Sequence, residues 1–178
     1  MVQPAPRSRR LTEGGVRELA RQAATGDVAA FTALVRVHER RVRGFLRRLC
    51  GEAHADDVAQ MTFLKAWRAA ASYRGEGSYE GWLLRIAWTQ FLSDRRRQSP
   101  ALPPEPTAAS AAPEARIDID RALAALPARE RAAALLCLGE GWSHGEAATI
   151  LGLPLGTLKS LVARARSRLS AALEGHQP

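Results

Sequence analysis

The stretch from Trp142 to Ser160 leaves few options for what the chain around it can become. Ser143 is placed to cap a helix, with Glu146 three residues on, the pairing in which each side chain meets the other's backbone N–H. Ala147, Ile150 and Leu151 give that short helix an apolar side. Gly152 is suited to close it in the left-handed conformation, and Pro154 sits where the next helix opens and a missing N–H costs little. The second helix carries Leu155, Leu158, Val162, Ala165 and Leu169 at alternating spacings of three and four, which predicts a buried stripe. Gly156, Ser160, Ala163, Arg164 and Ser167 fall on the opposite side, with Lys159 and Arg166 on one edge, Arg168 on the other, and no acid anywhere from Leu155 to Ser170. A helix with small and basic residues outward suits a DNA major groove. A two-helix corner with a solvated basic face is the bland alternative, and turn chemistry and charge together favour DNA.

The whole chain points the same way. A formal net charge of +8 over 178 residues favours a polyanionic partner, nucleic acid first and an acidic membrane surface second. The length allows one domain or two small ones. Cys50 and Cys137 belong to no metal or redox motif; each sits in an apolar helical context and is expected to pack as a small hydrophobe, compatible with a reducing cytoplasm. The first fifteen residues hold Arg7, Arg9 and Arg10 without an apolar segment after them, so no signal peptide is expected. No apolar run approaches the length of about eighteen residues that a membrane helix needs.

Taken in order, residues 1–15 lack periodicity and are expected to be a disordered arm. A short helix is predicted from Val16 to Ala24, then a break at Thr25-Gly26-Asp27 with Asp27 capping the next helix. That helix interleaves Arg36, Arg40, Arg41, Arg43, Arg47 and Arg48 with Val42, Phe45, Leu46 and Leu49; its basic side is equally well a solvated face or a phosphate contact. Gly51 breaks it. The next helix, begun around His54 to Asp57, has Ala59, Phe63, Ala66, Trp67 and Ala70 on one side and Asp57, Met61, Lys65 and Arg68 on the other. Met61 among charges suits a partner surface as well as mere exposure. A loop from Ala71 to Tyr79 follows, with Ser78 as a cap. The following helix has a polar ridge of Arg85, Thr89, Ser93 and Arg96, flanked by Trp82 and Trp88. Cations beside rings at the end of a loop fit single-stranded or distorted nucleic acid; at least one of the two tryptophans is expected in the core.

Residues 98–118 contain Pro100, Pro103, Pro104, Pro106 and Pro113 among alanines, and Arg116 against Glu105, Glu114 and Asp118. This composition predicts a flexible Pro/Ala-rich linker between a unit at 16–97 and a second at 119–178. Beyond it, Ile119, Leu123 and Leu126 share a face, Pro127 opens a largely buried helix, and Gly139 and Gly141 end it. No strand candidate survives, so the fold class is all-α, in two small helical domains.

Two segments together resemble a known family. Asp56 to Gln60, Phe63 to Trp67, Tyr73-Arg74-Gly75, Trp82-Leu83, Arg85-Ile86-Ala87 and Asp94 to Arg97 resemble the second conserved region of bacterial sigma factors. Leu126 to Arg131, Glu140 to Ser143, Glu146 to Ala148, Leu151 to Ser160, Arg164-Ala165-Arg166 and Leu169 resemble the fourth. Only those two regions, joined by a short linker, is the architecture of the extracytoplasmic-function (ECF) group.

The resemblance implies a cytoplasmic factor that binds core RNA polymerase, directs it to promoters and assists melting, without catalysis, metal or cofactor. It implies contact with the clamp helices of the largest polymerase subunit through Asp57, Gln60, Met61, Leu64 and Lys65. It implies capture of the −10 element by Tyr73, Arg74, Ser78, Trp82, Arg85, Trp88, Thr89 and Arg96. It implies reading of the −35 element by Thr157, Lys159, Ser160, Ala163, Arg164 and Ser167. An anti-sigma factor lodged between the domains is a further implied partner. Three departures bear on specificity: Met61 stands where the family usually has Glu, Thr89 where Asn is common, and Leu161 where Arg is common. Leu161 lies at the edge of the apolar stripe, which predicts fewer phosphate contacts and a shallower salt dependence. A helix-turn-helix repressor or activator with a sensing domain is the nearest rival. A metal-dependent hydrolase built on His38, Cys50 and His54 lacks an aligned helix and any catalytic motif. A purely structural module leaves the charge unexplained.

Overall fold

The computed structural model describes residues 12–97 and 114–174, and all regular structure among them is helical. The first unit comprises α1 (Glu13–Ala24), α2 (Val28–Cys50), α3 (Glu52–Arg68), a 3₁₀ turn (Ala70–Ser72) and α4 (Tyr79–Arg97). The second comprises α5 (Glu114–Ala125), α6 (Ala128–Ala134) running on into a π turn (Leu135–Gly139), α7 (His144–Leu151) and α8 (Leu155–Glu174). Most of the expected arm and linker lies outside the described residues. Two predicted boundaries move outward. Thr12 accepts a hydrogen bond from the Gly15 N–H, so α1 starts ahead of Val16, and α5 already occupies the last residues assigned to the linker.

Local chemistry sets the helix ends. The Asp27 carboxylate accepts from the N–H groups of Ala29 at 2.8 Å and Ala30 at 3.0 Å, a cap that contributes about 1 kcal/mol. Gly51, at φ 80°, both closes α2 and opens α3, a conformation that disfavours any side chain. The Ser78 hydroxyl accepts from the Gly81 N–H at 3.0 Å and starts α4.

The first core is built on α2: Leu34, Val42, Phe45, Leu46 and Leu49 are fully enclosed against Ala55, Val58, Ala59 and Ala66 of α3 and Leu83, Leu84 and Ala87 of α4. Each large side chain buried here contributes about 2 kcal/mol relative to exposure. The second core gathers Leu126, Ala132 to Leu136, Ala147, Ile150, Leu151, Leu158, Leu161, Val162 and Ala165. The two cores are continuous as one buried cluster, and two side chains also hydrogen-bond between the units. The Trp88 indole N–H of α4 donates to the Leu151 carbonyl at the end of α7, at 3.2 Å. Arg131 of α6 donates through Nη1 to the Leu49 carbonyl at 2.9 Å, and through Nη2 to those of Leu126 at 3.0 Å and Ala124. Leu49 lies in the last turn of α2, whose carbonyls have no partner within the helix and carry its negative dipole end, so a guanidinium is suited to it.

Candidate nucleic-acid interface

The helix-turn-helix is built as its sequence predicts. Glu146 N–H donates to the Ser143 hydroxyl at 3.3 Å, and the Ser143 N–H donates back to Glu146 Oε2 at 3.0 Å. The Ser143 hydroxyl also donates to Glu146 Oε2 at 2.6 Å, and this bond first, with the one from the Ser143 N–H, holds the Glu146 carboxyl below the usual carboxylate range. Gly152 takes the left-handed conformation at φ 65° and ψ 41°. This corner aims α8 so that Leu158, Val162 and Ala165 pack inward while Thr157, Lys159, Ser160, Ala163, Arg164 and Ser167 are all exposed together. One position departs from the expected stripe, and the edge residue Leu161 packs into it. Leu155, in the first turn and ahead of the packed part of α8, is 46% exposed, whereas Leu161 is 5% exposed in the core.

Two of the four cations of α8 are tied from beneath. Arg164 Nε donates to Glu130 Oε1 of α6 at 3.0 Å, and Arg168 Nη1 lies 3.3 Å from Glu130 Oε2. Glu130 itself is buried. Sequence reading missed it because it lies thirty-four positions before Arg164; the only local signal is an acid beside an arginine in an otherwise alanine-rich helix.

On the first unit, Arg74, Ser78, Arg85, Thr89 and Arg96 are exposed and Tyr73 and Trp82 are half-buried. Tyr73, Tyr79 and Trp82 form an aromatic cluster with ring centroids 5.0–5.6 Å apart, and the Tyr73 hydroxyl donates to the Gly77 carbonyl at 3.2 Å. Burial pushes the Tyr79 hydroxyl pKa upward. Trp82, Arg85 and Thr89 line a groove of about 450 Å³ together with Lys65, Ala69, Ser72 and Ile86. Lys65, expected at the polymerase contact, therefore also borders the aromatic and cationic ridge. Trp88 stands apart from the other −10 candidates. It is 3% exposed, stacked on Phe91 and hydrogen-bonded to Leu151. It is the core tryptophan of the pair, because it is covered by the end of α7.

Asp57, Gln60, Met61, Leu64 and Lys65 form an exposed strip on α3, with Met61 and Leu64 the large apolar side chains in it. Among the described residues no group of three or more His, Cys, Asp or Glu is placed to hold a metal. Cys50 and Cys137 are free and half-buried; the Cys50 thiol is pushed up to about 11 by burial, with Asp94 adding to the shift. No helix among the described residues is long and apolar enough to cross a membrane.

With this geometry in place, comparison with known proteins is specific. Residues 34–100 match Sigma-70 region 2 and residues 116–169 match Sigma-70 region 4. The chain belongs to the sigma-70 family. Within that family it falls in the ECF group. It is 37% identical to the ECF RNA polymerase sigma factor SigE of Mycolicibacterium smegmatis over 86% of this chain and 66% of that protein. It is 36% identical to SigM of Mycobacterium tuberculosis over 83% of this chain and 79% of that protein. Two solved structures share the fold: RpoE of Bartonella quintana with the anti-sigma factor NepR (TM-score 0.74, 30% identity, covering 84% of this chain and 100% of that one) and CnrH with the cytosolic domain of CnrY (0.69, 29%, 90% and 98%).

Proposed function

We propose that this chain binds core RNA polymerase through the strip Asp57, Gln60, Met61, Leu64 and Lys65, and directs it to promoters by a two-point grip. The unit at 119–178 reads the −35 element, with α8 in the major groove and Thr157, Lys159, Ser160, Ala163, Arg164 and Ser167 facing it. The unit at 16–97 captures the opened −10 element with Tyr73, Arg74, Ser78, Trp82, Arg85, Thr89 and Arg96, rings holding bases and cations holding phosphates. Trp88 enters that set only once α7 leaves it. The chain catalyses no step itself, and it acts in the cytoplasm, where polymerase and promoter meet. A protein of the anti-sigma class controls it, a reading supported by the anti-sigma factor NepR bound to one structural neighbour.

The observation that carries this reading is the joint exposure of the six α8 residues on a capped helix-turn-helix, with the aromatic and cationic groove on the other unit. Leu161 is part of the packed face, so Leu161→Arg perturbs the core and is a poor probe of phosphate contact; charges on the outer face serve instead. The decisive experiment is run-off transcription of genomic fragments with purified core polymerase. The expected result is initiation at discrete sites only when the chain is added. Binding of DNA without any polymerase-dependent initiation would return the molecule to the repressor or activator class.

A further inference from the structure

We infer that Glu130 is a positioning residue that sets specificity at the −35 element, by holding Arg164 and Arg168 of α8 in one fixed arrangement above a buried carboxylate. This rests on the reading that α8 enters the major groove. The Glu130 side chain is 7% exposed, while those of Arg164 and Arg168 are each 54% exposed. An acid enclosed under a DNA-facing helix does not serve solubility, and it subtracts charge where DNA binding would gain from more.

Its geometry explains what it offers in return. A guanidinium has five N–H groups in a rigid fork. Arg164 spends the Nε–H on Glu130 Oε1 at 3.0 Å. The four N–H groups on its Nη atoms remain, and a pair of these is what a guanine edge or a phosphate takes. Arg168, one helical turn on, lies 3.3 Å from Oε2 in a charge contact outside hydrogen-bond geometry, and so keeps the carboxylate from turning. Arg164 is thus oriented before DNA arrives. The carboxylate also offsets one of two positive charges, which weakens sequence-blind attraction to phosphate while leaving the directional contact. Lys159 and Arg166 have no ion pair with the described residues and supply the sequence-blind part.

The test uses the full chain with core polymerase and a duplex library randomised across the upstream element, comparing wild type, Glu130→Gln, Arg164→Ala and the double variant. The expected result is that Arg164→Ala flattens base preference at one position. Glu130→Gln should weaken preference at that same position about tenfold and steepen the dependence of log affinity on log salt by up to about one unit. The double variant should lose no more there than Arg164→Ala alone. If Arg164→Ala changes no preference, the placement of α8 in the groove fails and the inference with it. If Arg164→Ala flattens the position while Glu130→Gln keeps wild-type preference and salt slope, the inference alone is overturned. A measurement on the unmodified chain guards against a misfolded variant: ¹⁵N relaxation of Arg164 Nε without DNA. Backbone-like order is expected, and an order parameter below about 0.6 overturns the proposal.

Discussion

Two helices of this molecule are loaded with cations, and they use them in opposite ways. On α2, half of the arginine run is neutralised by acids at the starts of neighbouring helices. Arg41 meets both oxygens of Glu80 at 2.6 and 2.8 Å, Arg43 pairs with Asp56, and Arg47 lies 3.1 Å from Glu52. Glu52 and Glu80 stand in first turns, where helix dipoles already favour them, and Asp56 lies a turn further along α3, so the charges of α2 fasten α3 and α4 around it. On α8 the single acid comes from beneath, and the outer face stays positive. The two runs look alike in sequence. Their difference lies in which neighbours face them.

Removing the cation that belongs to neither run, yet ties the two units, should have the largest effect. Arg131→Met leaves the Leu49 and Leu126 carbonyls without their donor, and a loss of about 3 kcal/mol in urea unfolding is expected. A loss below about 1 kcal/mol would mean that water takes over the task.

Lys159→Ala tests the open face of α8. Promoter affinity should fall severalfold regardless of sequence, and the salt slope should drop by about one unit. An unchanged slope would remove α8 from the phosphate backbone and erase the contrast with α2.

A smaller effect concerns the inner side of α2. His38 is 6% exposed, packed on the Tyr79 ring, with Nδ1 at 3.9 Å from Glu80 and Nε2 without a partner. Burial pushes its pKa below the ordinary 6.5, Arg41 pushes the same way, and Glu80 opposes them. The unfolded chain therefore takes up the proton first. Stability is full above about pH 6.5 and falls as pH drops below it. Thermal melts of His38→Leu should lose that slope; an unchanged slope would assign it to other groups.

Arg43→Ala should do least, since its partner Asp56 is exposed: about 0.5 kcal/mol or less in stability, and no change in DNA affinity or salt slope. A change in either binding readout would make α2 a second nucleic-acid face and sink the comparison.

What the sequence made legible follows the range of the chemistry. Caps are local, so Asp27, Gly51, Ser78, Ser143 with Glu146, and Gly152 are each found in the role their neighbours predict. Helical period alone places Asp57, Met61 and Lys65 on the exposed strip of α3 and Ser160, Ala163, Arg164 and Ser167 on the outer face of α8, while Gln60, Leu64 and Thr157 come with the family resemblance. At the edges the outcome divides: Leu161 packs as its place beside the stripe predicts, whereas Leu155, expected within the stripe, is exposed because the first turn of α8 lies ahead of the packed part of the helix. The π turn at Leu135–Gly139 also went unseen, since its apolar residues fit an ordinary helix equally well.

By itself, then, the sequence determined an all-helical chain in two units, a capped helix-turn-helix and a strongly basic outer surface, because turn chemistry, periodicity and composition act within a few residues. Only the tertiary structure decided which arginines are spent and which stay open. It also decided that Trp88 is core while Trp82 borders the groove, and that the neighbours Glu130 and Arg131 reach different partners, the first the arginines of α8 and the second the Leu49 carbonyl of α2. Those outcomes depend on atoms brought together from positions as far apart as Leu49 and Arg131. Burial and electrostatics act through space, and no local pattern records which charge will find which partner.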